Sequence, residues 1–162
     1  MLGLGAALVF LLSIANISVA SGAQPSGANC QFDAPSGLFE GDQPTVVVVL
    51  SPRMPYALQE WPRMHAVAKK LGLRVVPLRA PGVSTEEWRD AVMVKGMRSL
   101  LGISAVDEPF AERRGLLNHT PAALVGRCGV VHAWPILGVM PDVAWVSVIR
   151  SRLAALPKGR CG

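Results

Sequence analysis

The residues able to do covalent or metal chemistry are few and widely spaced. Cysteine occurs three times, at Cys30, Cys128 and Cys161, with no Cys-x-x-Cys and no Cys/His cluster. Structural zinc needs soft ligands in short-spaced pairs, so these positions do not spell a zinc site. An odd count leaves at least one thiol unpaired wherever disulfides form. Cys30 and Cys161 flank the domain and could pair if its ends meet, although connectivity is not readable from sequence. Cys128 has no neighbouring His or Lys and no helix N-terminus to lower its pKa, and reads as an incidental surface thiol. Ser51 lies in Leu50-Ser51-Pro52-Arg53-Met54 with no G-x-S-x-G elbow, and no histidine stands at a telling distance from an acid. Met54 and His119, with Met64 or His65, would offer thioether and imidazole to Cu(I). Against that, Met64, Met93 and Met97 fall at helical spacing and read as core. His65 is one turn from Lys69-Lys70 and reads as solvated. Asn118-His119-Thr120 fits a glycosylation sequon, but Pro121 follows directly.

The elements that would position these residues follow an α/β order. Val46–Leu50 is a continuous apolar run, as expected of a strand covered on both faces. The loop leaving such a strand is where chemistry usually sits, and here it is Ser51-Pro52-Arg53-Met54. A helix from Pro55 to about Leu71 stops at Gly72, with Pro62 expected to kink or divide it. Leu73–Leu78 is a second strand, placed at an edge by Pro77. Ser84 and Glu87 form a capping box that opens a helix expected to end at Gly102. Phe110–Leu117 is a short helical or irregular piece. Pro121–Val125 and Val130–Leu137 form a hairpin around Gly126-Arg127-Cys128-Gly129. A last helix opens at Pro141-Asp142 and carries Trp145, Val148, Ile149, Arg152, Leu153 and Leu156 at spacings of three and four. The first half calls for parallel strands joined by a right-handed crossover, the second for an antiparallel hairpin under a helix.

This order, with Thr120-Pro121 just before the hairpin, resembles the thioredoxin-like superfamily over residues 44–156. The specific part is Thr120–Leu153: an X-Pro entering an apolar strand, a hairpin with its glycines at Gly126–Gly138, and a terminal helix. The resemblance implies a three-layer α/β/α sandwich with a mixed central sheet and a cis Thr120–Pro121 bond. It also implies that Ser51 and Met54 occupy the positions of a redox Cys-x-x-Cys. A hydroxyl forms no mixed disulfide and a thioether has no ionisable proton, so dithiol–disulfide chemistry is not expected. What would survive is a groove that holds an extended peptide, formed by Ser51, Pro52, Arg53, Met54, His119, Thr120 and Pro121. No catalytic residue, metal or cofactor is expected, and the partner is a protein or peptide of the cell envelope. The alternative is residual thiol redox through Cys128, or Cu(I) delivery through Met54 and His119.

Length and charge fit this reading. A chain of 162 residues favours one domain with a proper core. The net charge of +5 is modest, and the basic residues run no further than Lys69-Lys70 or Arg113-Arg114, which excludes a nucleic-acid stripe. Residues 1–32 hold no charged side chain, and Leu2–Val19 is mostly apolar before small residues at 18–23. Residues 1–23 therefore read as a signal peptide or, uncleaved, a membrane anchor through residues 2–19, despite the missing basic start. Residues 24–43 read as a flexible tether, 44–157 as the domain and 158–162 as a tail. The expected location is periplasmic or otherwise exported.

Overall fold

A computed structural model describes residues 30–31, 35, 37–54, 56–117, 119–158 and 161. The expected signal or anchor segment lies outside these residues. Among the described residues, no helix is long and apolar enough to cross a membrane.

Six strands form one mixed sheet: β1 (Cys30–Gln31), β2 (Thr45–Leu50), β3 (Arg74–Arg79), β4 (Ala122–Arg127), β5 (Val130–His132) and β6 (Ile136–Leu137). The order is β1-β5-β4-β2-β3, with β6 also on β4. β2 runs parallel to β3 and antiparallel to β4. Every residue of β2 is buried, so both faces of the sheet are covered. That is what a run of valines without polar alternation requires. β3 is the outer strand, where Pro77 withholds no hydrogen bond that the sheet needs.

The helices are α1 (Ala57–Lys70), α2 (Thr85–Val94), α3 (Glu108–Arg113) and α4 (Asp142–Ala154), with a 3-10 turn at Arg98–Leu100. Pro62 does not divide α1, which is one continuous helix. α1 and α4 lock together through Glu60, a buried carboxylate that accepts from Trp145 Nε1 at 2.8 Å. Arg63 adds bonds to Glu60 at 3.3 Å and Asp142 at 3.2 Å. α2 opens as expected, with Ser84 Oγ accepting the Glu87 N–H at 3.0 Å. It closes earlier than expected, at Gly96 and not Gly102. The Gly96 N–H reaches the Met93 carbonyl and the Met97 N–H the Val92 carbonyl, an αL stop that the positive φ of 68° at Gly96 permits. α3 starts two residues before Phe110, because Asp107 caps it through the Phe110 N–H at 3.0 Å.

Three further features differ from the sequence expectation. The returning strand, expected over Val130–Leu137, is split into β5 and β6. His132 Nδ1 accepts the Trp134 N–H at 3.1 Å, and Pro135 has no N–H, so the ladder breaks at residues 133–135. Ordered chain also reaches upstream of Pro44. Phe39 is in the core, and Arg74 donates to the carbonyls of Gly37 and Leu38. Finally, Cys161 pairs with Cys128 and not with Cys30. The Cys128–Cys161 disulfide, with Cα atoms 5.2 Å apart, joins the tail to the hairpin tip. Cys128 is therefore no incidental thiol. It occupies a two-residue turn with Gly129, at φ of 53° and 73°, the left-handed pair that a tight hairpin needs.

Candidate functional site

The loop between β2 and α1 carries the candidate residues because β2 ends at Leu50, deep in the core, and α1 cannot begin until Ala57. A turn closes it locally: the Met54 N–H reaches the Ser51 carbonyl at 3.4 Å, and the Ala57 N–H the Met54 carbonyl at 3.1 Å. Ser51 is buried, and its Oγ accepts the Arg53 N–H at 3.2 Å. Met54, three residues on, is exposed.

Arg53 ties this loop to α2. Its guanidinium makes a two-pronged bond to Glu87, Nε to Oε1 and Nη2 to Oε2, both at 2.7 Å, and donates to the Gly82 carbonyl at 2.9 Å. The hydrogen bond from Arg53, aided by its charge and by the Ser84 N–H, holds the Glu87 carboxyl below the ordinary range against partial desolvation. The same bond raises the Arg53 pKa. Both groups are solvent-facing, so the pair fixes geometry more than it adds stability. Glu87 was visible in the sequence only as a capping residue, and its second role had no sequence signal.

Thr120 approaches from the other side. The Thr120–Pro121 bond is cis, as the resemblance implies, and Pro121 leads directly into β4. The Pro121 carbonyl accepts the Gly138 N–H at 2.9 Å, which holds this segment against the end of β6. Ser51, Arg53, Met54 and Thr120 line one cavity of about 250 Å³ with Ala80, Pro81, Val83 and Leu117. Thr120 Oγ1 is buried there without a hydrogen-bond partner.

His119 does not join them. It is exposed and lines a neighbouring cleft of about 640 Å³ with Trp134, Pro135 and Leu137. Leu117 borders both spaces. Met64 is buried in the core and His65 stacks on Trp61 at 5.1 Å, so neither stands with Met54. Trp134 is 63% exposed, although both its backbone polar groups contact His132 Nδ1. Its ring is therefore presented to solvent from a fixed backbone. Sequence reasoning passed over Leu117, Trp134 and Leu137; the Trp-Pro step at 134–135, a strand breaker beside an aromatic, was the available signal.

Solved structures supply the comparison. The thioredoxin-like superfamily protein SPOA0173 matches with a TM-score of 0.51 at 14% identity, over 78% of this chain and 91% of that one. The fold is thioredoxin-like. A thiol:disulfide interchange protein of the thioredoxin family from Chlorobium tepidum matches at TM-score 0.47 and 14% identity, covering 68% of this chain and 80% of its own. The exposed lipoprotein thioredoxin Etrx1 of Streptococcus pneumoniae matches at TM-score 0.48 and 16% identity, covering 67% and 84%. No protein-family model and no curated protein sequence matches the chain. At these identities the likeness speaks for the thioredoxin-like fold alone, and function has to be argued from the site.

Proposed function

We propose that this chain is an exported thioredoxin-like protein without dithiol–disulfide oxidoreductase activity. It binds a partner protein or peptide through the Ser51–Met54 loop and the Thr120–Pro121 segment. The observation that carries this reading is that Ser51, Met54 and Thr120 line one cavity. In the thioredoxin-like arrangement that loop is where an attacking and a resolving thiol would stand, and here it offers a hydroxyl and a thioether. No cysteine lies between Cys30 and Cys128, so none can be recruited to the loop from nearby sequence. Cys128 and Cys161 sit beyond the far end of β4 and are bonded to each other.

The chemistry that remains is recognition. Met54 at the first cavity, Trp134 and Leu137 at the second, and Leu117 at both are all at least 40% exposed, apolar surface that a partner would cover. An exposed tryptophan on a fixed backbone supplies large contact area at small entropic cost. The apolar segment at 2–19 and the small residues after it support export to the periplasm or an equivalent compartment, with or without retained anchoring.

Two measurements test the reading together. The purified protein should not accelerate dithiothreitol-driven insulin reduction over the uncatalysed rate. A photo-crosslinking residue in place of Met54 should capture a defined partner from the native envelope. The same residue at Arg150, exposed on α4 and lining neither cavity, should not. Clear insulin turnover, or equal capture at both positions, would overturn the proposal.

A further inference from the structure

We propose that Asp42, Cys128 and Cys161 form a redox-gated metal site that takes a zinc ion once the Cys128–Cys161 bond is reduced. This site is independent of the groove. The three donor atoms already lie within 4.8 Å of one another. The two cysteines are also held by contacts that do not involve sulfur. The Cys128 N–H donates to the Gly41 carbonyl at 3.2 Å, and the Gly129 N–H to the Phe39 carbonyl at 3.0 Å. The Cys161 N–H donates to Asp42 Oδ1. Opening the disulfide therefore leaves both thiols anchored to the segment that carries Asp42. Both cysteines are half-exposed and Asp42 is exposed, so a small thiol and a metal ion have access.

The step balances with two equivalents of a small-molecule thiol. The first, as thiolate, attacks one Sγ and breaks the S–S bond, giving a mixed disulfide and one protein thiol. The second displaces the first, leaving two protein thiols and one small-molecule disulfide. Zinc then binds with release of both thiol protons. In the oxidised state the sulfurs carry no charge. In the reduced state two thiolates and a carboxylate gather three negative charges at one point, and a cation relieves their repulsion. Two sulfurs, one carboxylate oxygen and a water complete a tetrahedral zinc shell. At Zn–S distances of about 2.3 Å the sulfurs of such a shell stand about 3.8 Å apart. The two sulfurs, bonded to each other in the oxidised protein, move apart to that separation once the bond opens. Asp42 Oδ1 can keep the Cys161 N–H while Oδ2 faces the metal, the outer-shell support that ligating carboxylates use.

The test uses the full chain, reduced under anaerobic conditions with a phosphine that is then removed, and Co²⁺ as the spectroscopic probe. Reduced protein should develop thiolate-to-cobalt charge-transfer absorbance saturating at one equivalent and bleached by Zn²⁺, while oxidised protein should not. Cys30→Ser should leave the band intact and Cys128→Ser should abolish it. Asp42→Asn keeps an acceptor for the Cys161 N–H and should weaken Zn²⁺ binding by roughly tenfold or more. Loss of the band in Cys30→Ser, or unchanged affinity in Asp42→Asn, would overturn the assignment. So would a reduced chain that shows no band, whether circular dichroism reports it folded or unfolded in the presence of zinc.

Discussion

Gly126 lacks a side chain because Phe39 occupies the space one would need. A Cβ there would lie 2.3 Å from Phe39 Cδ1 and 2.8 Å from the Val130 carbonyl oxygen. The sequence reading placed Gly126 in the hairpin turn, whereas the structure puts it inside β4, where a glycine marks such a close approach. Leu38-Phe39 sits in a Ser/Gly/Pro-rich stretch that reads as linker, and nothing local reveals that the Phe39 ring returns to cover β4. Gly126→Ala should destabilise the fold by about 1–3 kcal/mol, as overpacking does. Phe39→Ala should cost about 3–5 kcal/mol by opening a cavity. The double variant should cost less than the sum, because removing the ring makes room for the new methyl. Urea unfolding of the four proteins measures the cycle; strict additivity would show that the two residues do not share the space. At the loop, the expectation concerns charge. The Glu87 carboxyl should titrate below the ordinary glutamate range, and in Arg53→Gln it should move back up. Carboxyl-directed NMR reads this directly, and an unmoved Glu87 would dissociate the loop from α2.

Among the elements, β2, the hairpin, the Ser84 cap and the edge placement of β3 were legible because each rests on a local cause: apolar continuity, a glycine turn, a capping hydroxyl, a proline. The break between β5 and β6 was not read, since it depends on His132 bending back to the Trp134 N–H. The α1–α4 lock was also invisible, because Glu60 and Trp145 are 85 residues apart. Glu60→Ala should strand the buried Trp145 N–H and cost about 1–3 kcal/mol, whereas Glu60→Gln keeps an acceptor and should cost less. A smaller loss for Ala than for Gln in urea unfolding would show the bond to be incidental. His132 gives β5 a pH dependence. Burial, and then the Arg152 charge, lower its pKa below the ordinary value, while the Trp134 backbone contact opposes them. The unfolded chain therefore takes up a proton first as pH falls through about 6.5, the ordinary histidine value, and the native state loses stability until its own lower pKa is reached. Stability should thus be greatest above neutral pH with respect to this group. His132→Gln should flatten the fall between those two values. An unchanged profile would assign the dependence elsewhere.

For the whole molecule, the decisive feature outside the sheet is the tie between tail and hairpin tip. Three cysteines allow three pairings, and sequence offers no rule for choosing among them. The flanking positions of Cys30 and Cys161 favoured the wrong choice because the approach of Cys161 to the hairpin tip needs the tertiary fold. That Ser51, Met54 and Thr120 come together was legible for a related reason in reverse. Ser51 and Met54 follow the end of β2 and Thr120 precedes the start of its antiparallel neighbour β4, so strand order fixes where they meet, while His119, one residue away, turns into the adjoining cleft. Because Cys128 and Cys161 are 33 residues apart in sequence, the bond removes substantial freedom from the unfolded chain. The chain-entropy account puts this at about 3–4 kcal/mol. Cys161→Ser, measured in metal-free buffer, should therefore lower the unfolding free energy of the oxidised protein by about that amount. Added reductant should lower the parent protein to the same level and leave the variant where it is. Alkylation of the oxidised, denatured parent should label Cys30 alone. Labelling of Cys128 or Cys161, or a Cys161→Ser variant as stable as the parent, would show that the tail is not tied to the hairpin in solution.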